Sequence, residues 1–240
     1  MVNRGAYSTH MKFIPFILMI ILVASGVPRA EAKDTFTDTF GVDKTDLVSI
    51  GTNRFFILAP GYQQIFTGKE EGKAVVLTIT VLDQTKMVDA VETRIIVEHE
   101  TADGQLIEIS TNYFAISKKT SDVFYFGEDV DMFKSGKLVS HEGTWLSGVN
   151  GARFGMQMPG TPLLGARYYQ EVAPKLAMDR AEVKSLNDKL ETPAGEFENC
   201  LNIQETSALE RARETKVYAP GVGLIFDGSL KLIKFGYVGQ

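Results

Sequence analysis

The side chains best able to do chemistry in this sequence are a few histidines and carboxylates on strand-like runs. His99 lies between Glu98 and Glu100, and His141 precedes Glu142. Counting outward from the turn Ser135-Gly136 brings Asp129 and Asp131 opposite His141 and Glu142. One histidine with two carboxylates is a donor set for a divalent ion or a water-activating base. The spacing matches no ligand signature, however, and neighbours on a strand point to opposite faces, so Glu98 and His99 do not converge. No metal site is expected, and an acidic, solvated strand edge accounts for these residues. Glu171, Asp179 and Glu182 form a second acidic group. Two carboxyls across a cleft would serve glycoside hydrolysis, but exposed strand ends explain them equally well.

Other chemistries find less support. Cys200 has no basic neighbour in sequence to lower its pKa, so a buried, inert thiol is expected. Neither G-x-S-x-G nor S-x-x-K occurs. The glycines between Gly148 and Gly165 are not spaced as G-x-G-x-x-G and open no helix. No cofactor is implied, and no catalytic residue can be assigned.

Aromatic residues carry a stronger pattern. Tyr113, Phe114, Phe124, Tyr125, Phe126, Phe133 and Trp145 fall on three successive strand-like runs. They suit a core, or the lining of an apolar cavity in a curved sheet that does not close tightly. Leu146–Gly165 follows, with five glycines and two prolines, and reads as a long loop. Phe154, Met156 and Met158 within it are apolar side chains that a solvated loop would not need. The loop is therefore expected to fold over one open end of the sheet, as a plug or as a lid. Phe154, Met156, Met158, Trp145 and Tyr125 become the candidate ligand-binding residues.

The elements that must position these residues are strands. Ala74–Leu82, Val88–Glu100, Leu106–Ser117, Val123–Phe126, Lys137–Trp145, Ala181–Leu190, Phe197–Thr206, Thr215–Ala219, Leu224–Phe226 and Leu230–Phe235 are β-branched or alternating. Asp103-Gly104, Ser135-Gly136 and Asp227-Gly228 lie between them as turn signals. The expected fold is all-β: an antiparallel meander forming a curved sheet or open barrel, with at most one short helix. Val172–Arg180 is the helix candidate, weakened by Pro174.

Arg4 and Lys12, an uncharged run from Phe13 to Val23, and Ala30-Glu31-Ala32 have the order of a secretory signal peptide. The apolar stretch is short for a membrane span. Cleavage is expected between Ala32 and Lys33. The chain then divides into a signal peptide at 1–32, a polar leader at 33–53 and a single β domain at 54–240. A secreted or periplasmic location follows, with no stable membrane span after cleavage. One cysteine allows no internal disulfide, which suits a bacterial source. With 25 basic and 30 acidic side chains the net charge is −5. Removal of the signal peptide makes the chain more acidic, which disfavours nucleic acid and anionic lipid as partners.

Several phrases then carry a resemblance: Tyr125-Phe126-Gly127-Glu128-Asp129-Val130, Glu142-Gly143-Thr144-Trp145, Gly148-Val149-Asn150-Gly151-Ala152, Met158-Pro159 and Tyr218-Ala219-Pro220-Gly221-Val222-Gly223. Together they resemble an uncharacterised family of secreted bacterial β-rich proteins, to which no activity attaches. In architecture the chain is loosely similar to periplasmic half-barrel lipid carriers. The reading is a non-catalytic exported binding or envelope-associated module, taking an apolar small molecule or an envelope component. The alternative is a secreted hydrolase or metal-dependent enzyme using Glu128, Asp129, His141 and Glu171.

Overall fold

Strand follows strand along this chain because two-residue turns repeatedly reverse it. Glu71-Gly72, Asp89-Ala90, Asp103-Gly104 and Ser135-Gly136 all have positive φ at both central positions. That geometry matches the right-handed twist of the flanking strands. Three of the four turns use glycine at the second position. Asp89-Ala90 does not, so the run from Met87 into Val91 reads in sequence as unbroken.

The computed structural model describes residues 35–211 and 213–239, and the expected signal peptide and its cleavage point lie outside them. A 3-10 turn at Lys44–Asp46 precedes β1 (Leu47–Val48), β2 (Thr52–Asn53) and β3 (Phe56–Ile57). Next come β4 (Tyr62–Glu70), β5 (Lys73–Val88), β6 (Val91–Ala102), β7 (Gln105–Ser117) and β8 (Val123–Lys134). Three shorter strands, β9 (Lys137–Ser140), β10 (Trp145–Leu146) and β11 (Arg153–Met158), all pair with β8. β12 (Arg167–Tyr169) and β13 (Glu171–Val172) are short. β14 (Asp179–Thr192), β15 (Gly195–Ser207), β16 (Arg213–Ala219), β17 (Gly223–Asp227) and β18 (Leu230–Tyr237) complete the meander.

Pairing runs in the order β12-β14-β15-β16-β17-β18-β4-β5-β6-β7-β8-β11-β13. The two ends of that path are consecutive in sequence. β12 pairs with β14 through Tyr169↔Arg180, and β13 pairs with β11 through Phe154↔Glu171. One stretch, 167–172, thus touches both edges of the sheet and changes partner at Gln170. The result is a nearly closed antiparallel barrel, all-β as the strand pattern implies. Gly155 on β11 makes the closure possible, because a Cβ there would overlap the backbone of Gln170 and Glu171.

Two local expectations fail. Val172–Arg180 is not a helix: Ala173 bridges Ala177 across a tight turn, with Lys175 at positive φ. Pro174 disfavours helical backbone at the preceding Ala173. The stretch Leu146–Gly165 is not a structureless loop, since its centre is β11, a stave of the barrel wall. Its glycines flank that strand in turns and admit the closing stretch.

The polar stretch 35–53 crosses the outside of the sheet. Thr37 bridges Tyr168 in parallel, and β1 pairs with the end of β7. Phe40 packs edge-on to Phe124 at 5.8 Å, and Leu47 joins Tyr113, Phe124 and Phe126 in one buried cluster. Asp46 of this strap is buried and accepts a hydrogen bond from Ser117 Oγ at 2.7 Å. A second cluster, around Phe114, Tyr125, Trp145 and Ile203, faces inward. A third surrounds Phe66, Cys200, Val217 and Leu232. Cys200 is fully buried and burial pushes its thiol pKa up, as its sequence context suggests.

Candidate functional site: an acidic barrel lumen

Alternation along β7 places Glu108, Ser110, Asn112 and Phe114 on one face. That face points into the barrel. On β8 a bulge modifies the alternation. Tyr113 pairs with Gly127 and Phe114 with Tyr125, so Phe126 is the extra residue. The bulge lets Tyr125 and Glu128 both point inward, although they are three apart, while Phe124 and Phe126 point outward. Gly127 carries the positive φ at this bend, and a Cβ there would overlap the Trp145 carbonyl. The phrase Tyr125-Phe126-Gly127-Glu128 is thus a device for aiming a phenol and a carboxyl into the lumen.

The lumen holds two adjoining cavities. One, of about 220 Å³, is lined by Glu98, Glu108, Glu128, Glu171, Asp179 and Glu205, with Ser110, Asn112, Tyr125 and Gln170. The other, of about 90 Å³, is lined largely by apolar side chains, among them Phe55, Ile57, Ile79, Val81, Ile96 and Leu224. Glu98, Phe114, Gln157 and Lys216 line both. Phe114 stacks on Tyr125 at 4.8 Å, and Trp145 meets Tyr125 edge-on at 5.4 Å.

One cation serves the six acids of the larger cavity. Lys216 Nζ lies 3.2 Å from Glu205 and 3.5 Å from Asp227. Burial opposes its charge, but Asp227 and Glu205 outweigh that and hold its pKa well above the ordinary lysine value. The remaining carboxyls are less well compensated. Burial pushes Glu98 and Glu128 up to about 7, and Glu171 well above the usual carboxylate range. Nearby acids add to each rise, and Lys216 partly offsets that of Glu98.

Hydrogen bonding in the cavity is incomplete. Tyr125 OH donates to Asn112 Oδ1 at 2.5 Å, and Gln170 Nε2 donates to Glu205 at 2.6 Å. Asn112 Nδ2, Gln170 Oε1 and Glu171 Oε2 are buried without a partner. The Trp145 indole N–H lies near the carboxyls of Glu128 and Glu171 and lowers both, yet it has no partner at hydrogen-bonding geometry. Buried polar groups are usually satisfied, so a cluster of exceptions marks a place built for something else.

The residues proposed from sequence are divided by the wall. Tyr125 lines the acidic cavity. Trp145 is buried behind it and also lines an apolar depression with Val149 and Pro174. Phe154 is on the outer face, stacked on Phe126 at 4.7 Å beneath the N-terminal strap. Met156 lines an outer groove with Phe40 and Val42. Met158 is fully buried in the inward-facing cluster. The four residues of the enzymatic alternative are divided too. Glu128 and Glu171 meet the lumen, whereas Asp129 pairs outside with Lys86 at 2.9 Å. His141 lies on the surface, 2.8 Å from Asp131. No group of three or more His, Cys, Asp or Glu side chains among the described residues is arranged to hold a metal ion.

Glu108, Asn112, Gln170, Glu205 and Lys216 were not among the candidates from sequence, and Glu98 was weighed only as a metal donor beside His99. Their period-2 spacing is visible, but a polar face normally means solvent. The available signal was the opposite face of β7, where Ile107, Ile109, Tyr113 and Ala115 alternate with them.

Fold and site together define a nearly closed antiparallel β-barrel with an acidic, partly unsatisfied lumen. No protein-family model matches the chain, and no curated protein matches it. Among solved structures, the chain is similar to a Bacteroides fragilis protein inferred to be exported and described as having a YmcC-like fold. The TM-score is 0.37 at 13% identity, covering 77% of this chain and 100% of that one. It is also similar to a Parabacteroides distasonis protein inferred to be a lipoprotein, with a TM-score of 0.35 at 11% identity. That match covers 79% of this chain and 99% of the other. Both likenesses are distant.

Proposed function

We propose that this protein is an exported, non-catalytic binding module that houses a ligand with an apolar portion inside its barrel. Export rests on the signal-peptide pattern of the N-terminus. The binding role rests on one observation: the apolar cavity and the acidic cavity share Glu98, Phe114, Gln157 and Lys216. An amphiphile would lay its tail along Ile79, Val81 and Ile96 and place its head among the polar groups. Tyr125, with Trp145 packed against it, belongs to the wall that the head would meet. Catalysis has less support, because the four residues of the enzymatic alternative do not converge: Glu128 and Glu171 meet the lumen, whereas Asp129 and His141 lie outside it.

Octan-1-ol tests the proposal. Its addition should shift the NMR resonances of Ile79, Ile96 and Phe114 in a saturable way. A Gln157→Trp variant, which fills the junction of the two cavities, should abolish those shifts while keeping the native fold. Lumen resonances unmoved by octan-1-ol and by every charged analogue of it would refute the binding role.

A further inference from the structure

The identity of the head group follows from what the acidic cavity lacks. Its acids are Glu98, Glu108, Glu128, Glu171, Asp179 and Glu205, and Lys216 is the only basic residue among the described residues that line it. That ammonium is already engaged by Glu205 and Asp227. The side-chain hydrogen bonds present do not finish the task either. Gln170 is 4% exposed and keeps Oε1 without a donor; Glu171 is 6% exposed and keeps Oε2 without a donor at hydrogen-bonding geometry, although the Trp145 indole N–H lies near its carboxyl. Asn112, 5% exposed, keeps a donor without an acceptor. Among the described residues, no lysine, arginine or histidine but Lys216 lines the cavity. The vacancy therefore has a chemical shape of two acceptors and one donor in a field of carboxyls.

We propose, resting on the lumenal binding just described, that the ligand is a cationic amphiphile. Its ammonium head carries N–H donors to Gln170 Oε1 and Glu171 Oε2, and its tail follows the apolar cavity. A hydroxyl or carbonyl beside the amine meets Asn112 Nδ2. An anionic head would face six carboxyls at close range, and like charges in a partly dehydrated cavity repel strongly. A neutral polyol could satisfy the three hydrogen bonds but would offer no counter-charge to those carboxyls that ionise. A quaternary ammonium would supply charge but no N–H. A primary or secondary amine meets both demands.

Calorimetric titration with four eight-carbon probes separates these cases: octylammonium, octyltrimethylammonium, octan-1-ol and octanoate. Octylammonium should bind at least about tenfold more tightly than octan-1-ol, the difference typical of a hydrogen bond to a charged group. Octyltrimethylammonium should be weaker than octylammonium, and octanoate weakest. Glu171→Gln should weaken octylammonium about tenfold and octan-1-ol much less. Glu98→Gln serves the same purpose if Glu171→Gln does not fold. Equal affinity for octylammonium and octan-1-ol overturns the cationic assignment while leaving lumenal binding intact. So does indifference of octylammonium to both Glu variants. Octyltrimethylammonium binding as tightly as octylammonium overturns the N–H donors. Octylammonium binding undiminished in Gln157→Trp places the contact on the acidic outer surface, and the proposal falls. If no probe binds at all, it is the lumenal role itself that fails.

Discussion

The two faces of β8 have opposite characters, one apolar and sealed, the other polar and bordering a cavity. Outward, Phe124 and Phe126 are fully buried and covered by Phe40, Leu47 and Phe154. Inward, Tyr125 and Glu128 border a cavity in which polar atoms lack partners. A meander with one polar face would ordinarily turn it to water. Here the solvent side has been made apolar and sealed by the N-terminal strap, and the polar side encloses space. The outer seal accounts for stability. The inner face costs stability, because carboxyls are dehydrated there without enough cations. That cost is what the proposed ligand would offset.

The sharpest test of that contrast is truncation on either side of one strand. Phe124→Ala should lower unfolding free energy by about 3–5 kcal/mol, the usual cost for a buried phenylalanine. Glu128→Gln, four residues away on the other face, should leave stability unchanged or raise it, since it removes a buried acid. Urea denaturation of both variants at pH 8 decides the matter. Comparable losses would mean that the lumen carboxyls hold the barrel together and the division between faces is false.

Lys216→Met probes the lumen's one compensated spot. The ammonium is half-buried between Glu205 and Asp227, and removing it strands both carboxylates. A loss of about 3 kcal/mol is expected, near the lower end for breaking a buried pair because some solvent reaches the group. A neutral result would show that the cavity is wet enough to solvate its acids, weakening the case that they await a cationic partner.

The outer architecture was largely legible in sequence. Asp103-Gly104 and Ser135-Gly136 announce their hairpins because positive φ at two residues favours such pairs. Asp89-Ala90 makes the same turn with no glycine to announce it. The all-β class follows from β-branched alternation in β5 and β6. Less legible was closure, which depends on Gly155 letting the stretch 167–172 approach β11. That is a long-range contact, and its glycine has the same local appearance as any loop glycine. The site was harder still. Period 2 sorts residues into two faces without saying which is inside, so Glu108, Ser110 and Asn112 read as solvated. The bulge at Phe126 also breaks the count between Tyr125 and Glu128, so their shared face is invisible until the register is known.

The smallest expected effect, and the broadest check on the contrast, is the pH dependence of stability. Burial raises Glu98, Glu100, Glu128 and Glu214 to about 7, and Glu171 further. The unfolded chain releases those protons near 4.5. Between about pH 4.5 and 7 the folded state therefore binds more protons than the unfolded state, and stability must fall as pH rises through that window. Asp89, Asp129 and Glu182 have the opposite shift: burial works against them, but Lys44, Ser147, Tyr113, Lys86, Arg167 and Lys184 outweigh it and lower their pKa values. Their contribution is present above the unfolded value and is lost as pH falls through the lower folded one, below about 4. The two windows do not overlap. Thermal stability should peak near pH 4.5–5 and decline toward pH 8. Partial solvation and coupling among the acids hold the decline to about 1–3 kcal/mol in all, or roughly 2–10 °C in melting temperature for a chain this size. Melting temperatures at pH 5 and pH 8, in wild type and in a Glu98→Gln, Glu128→Gln double variant, check the assignment. The decline should be markedly shallower in the variant. A wild-type melting temperature that rises from pH 5 to pH 8 would show that the lumen acids are ionised and already satisfied.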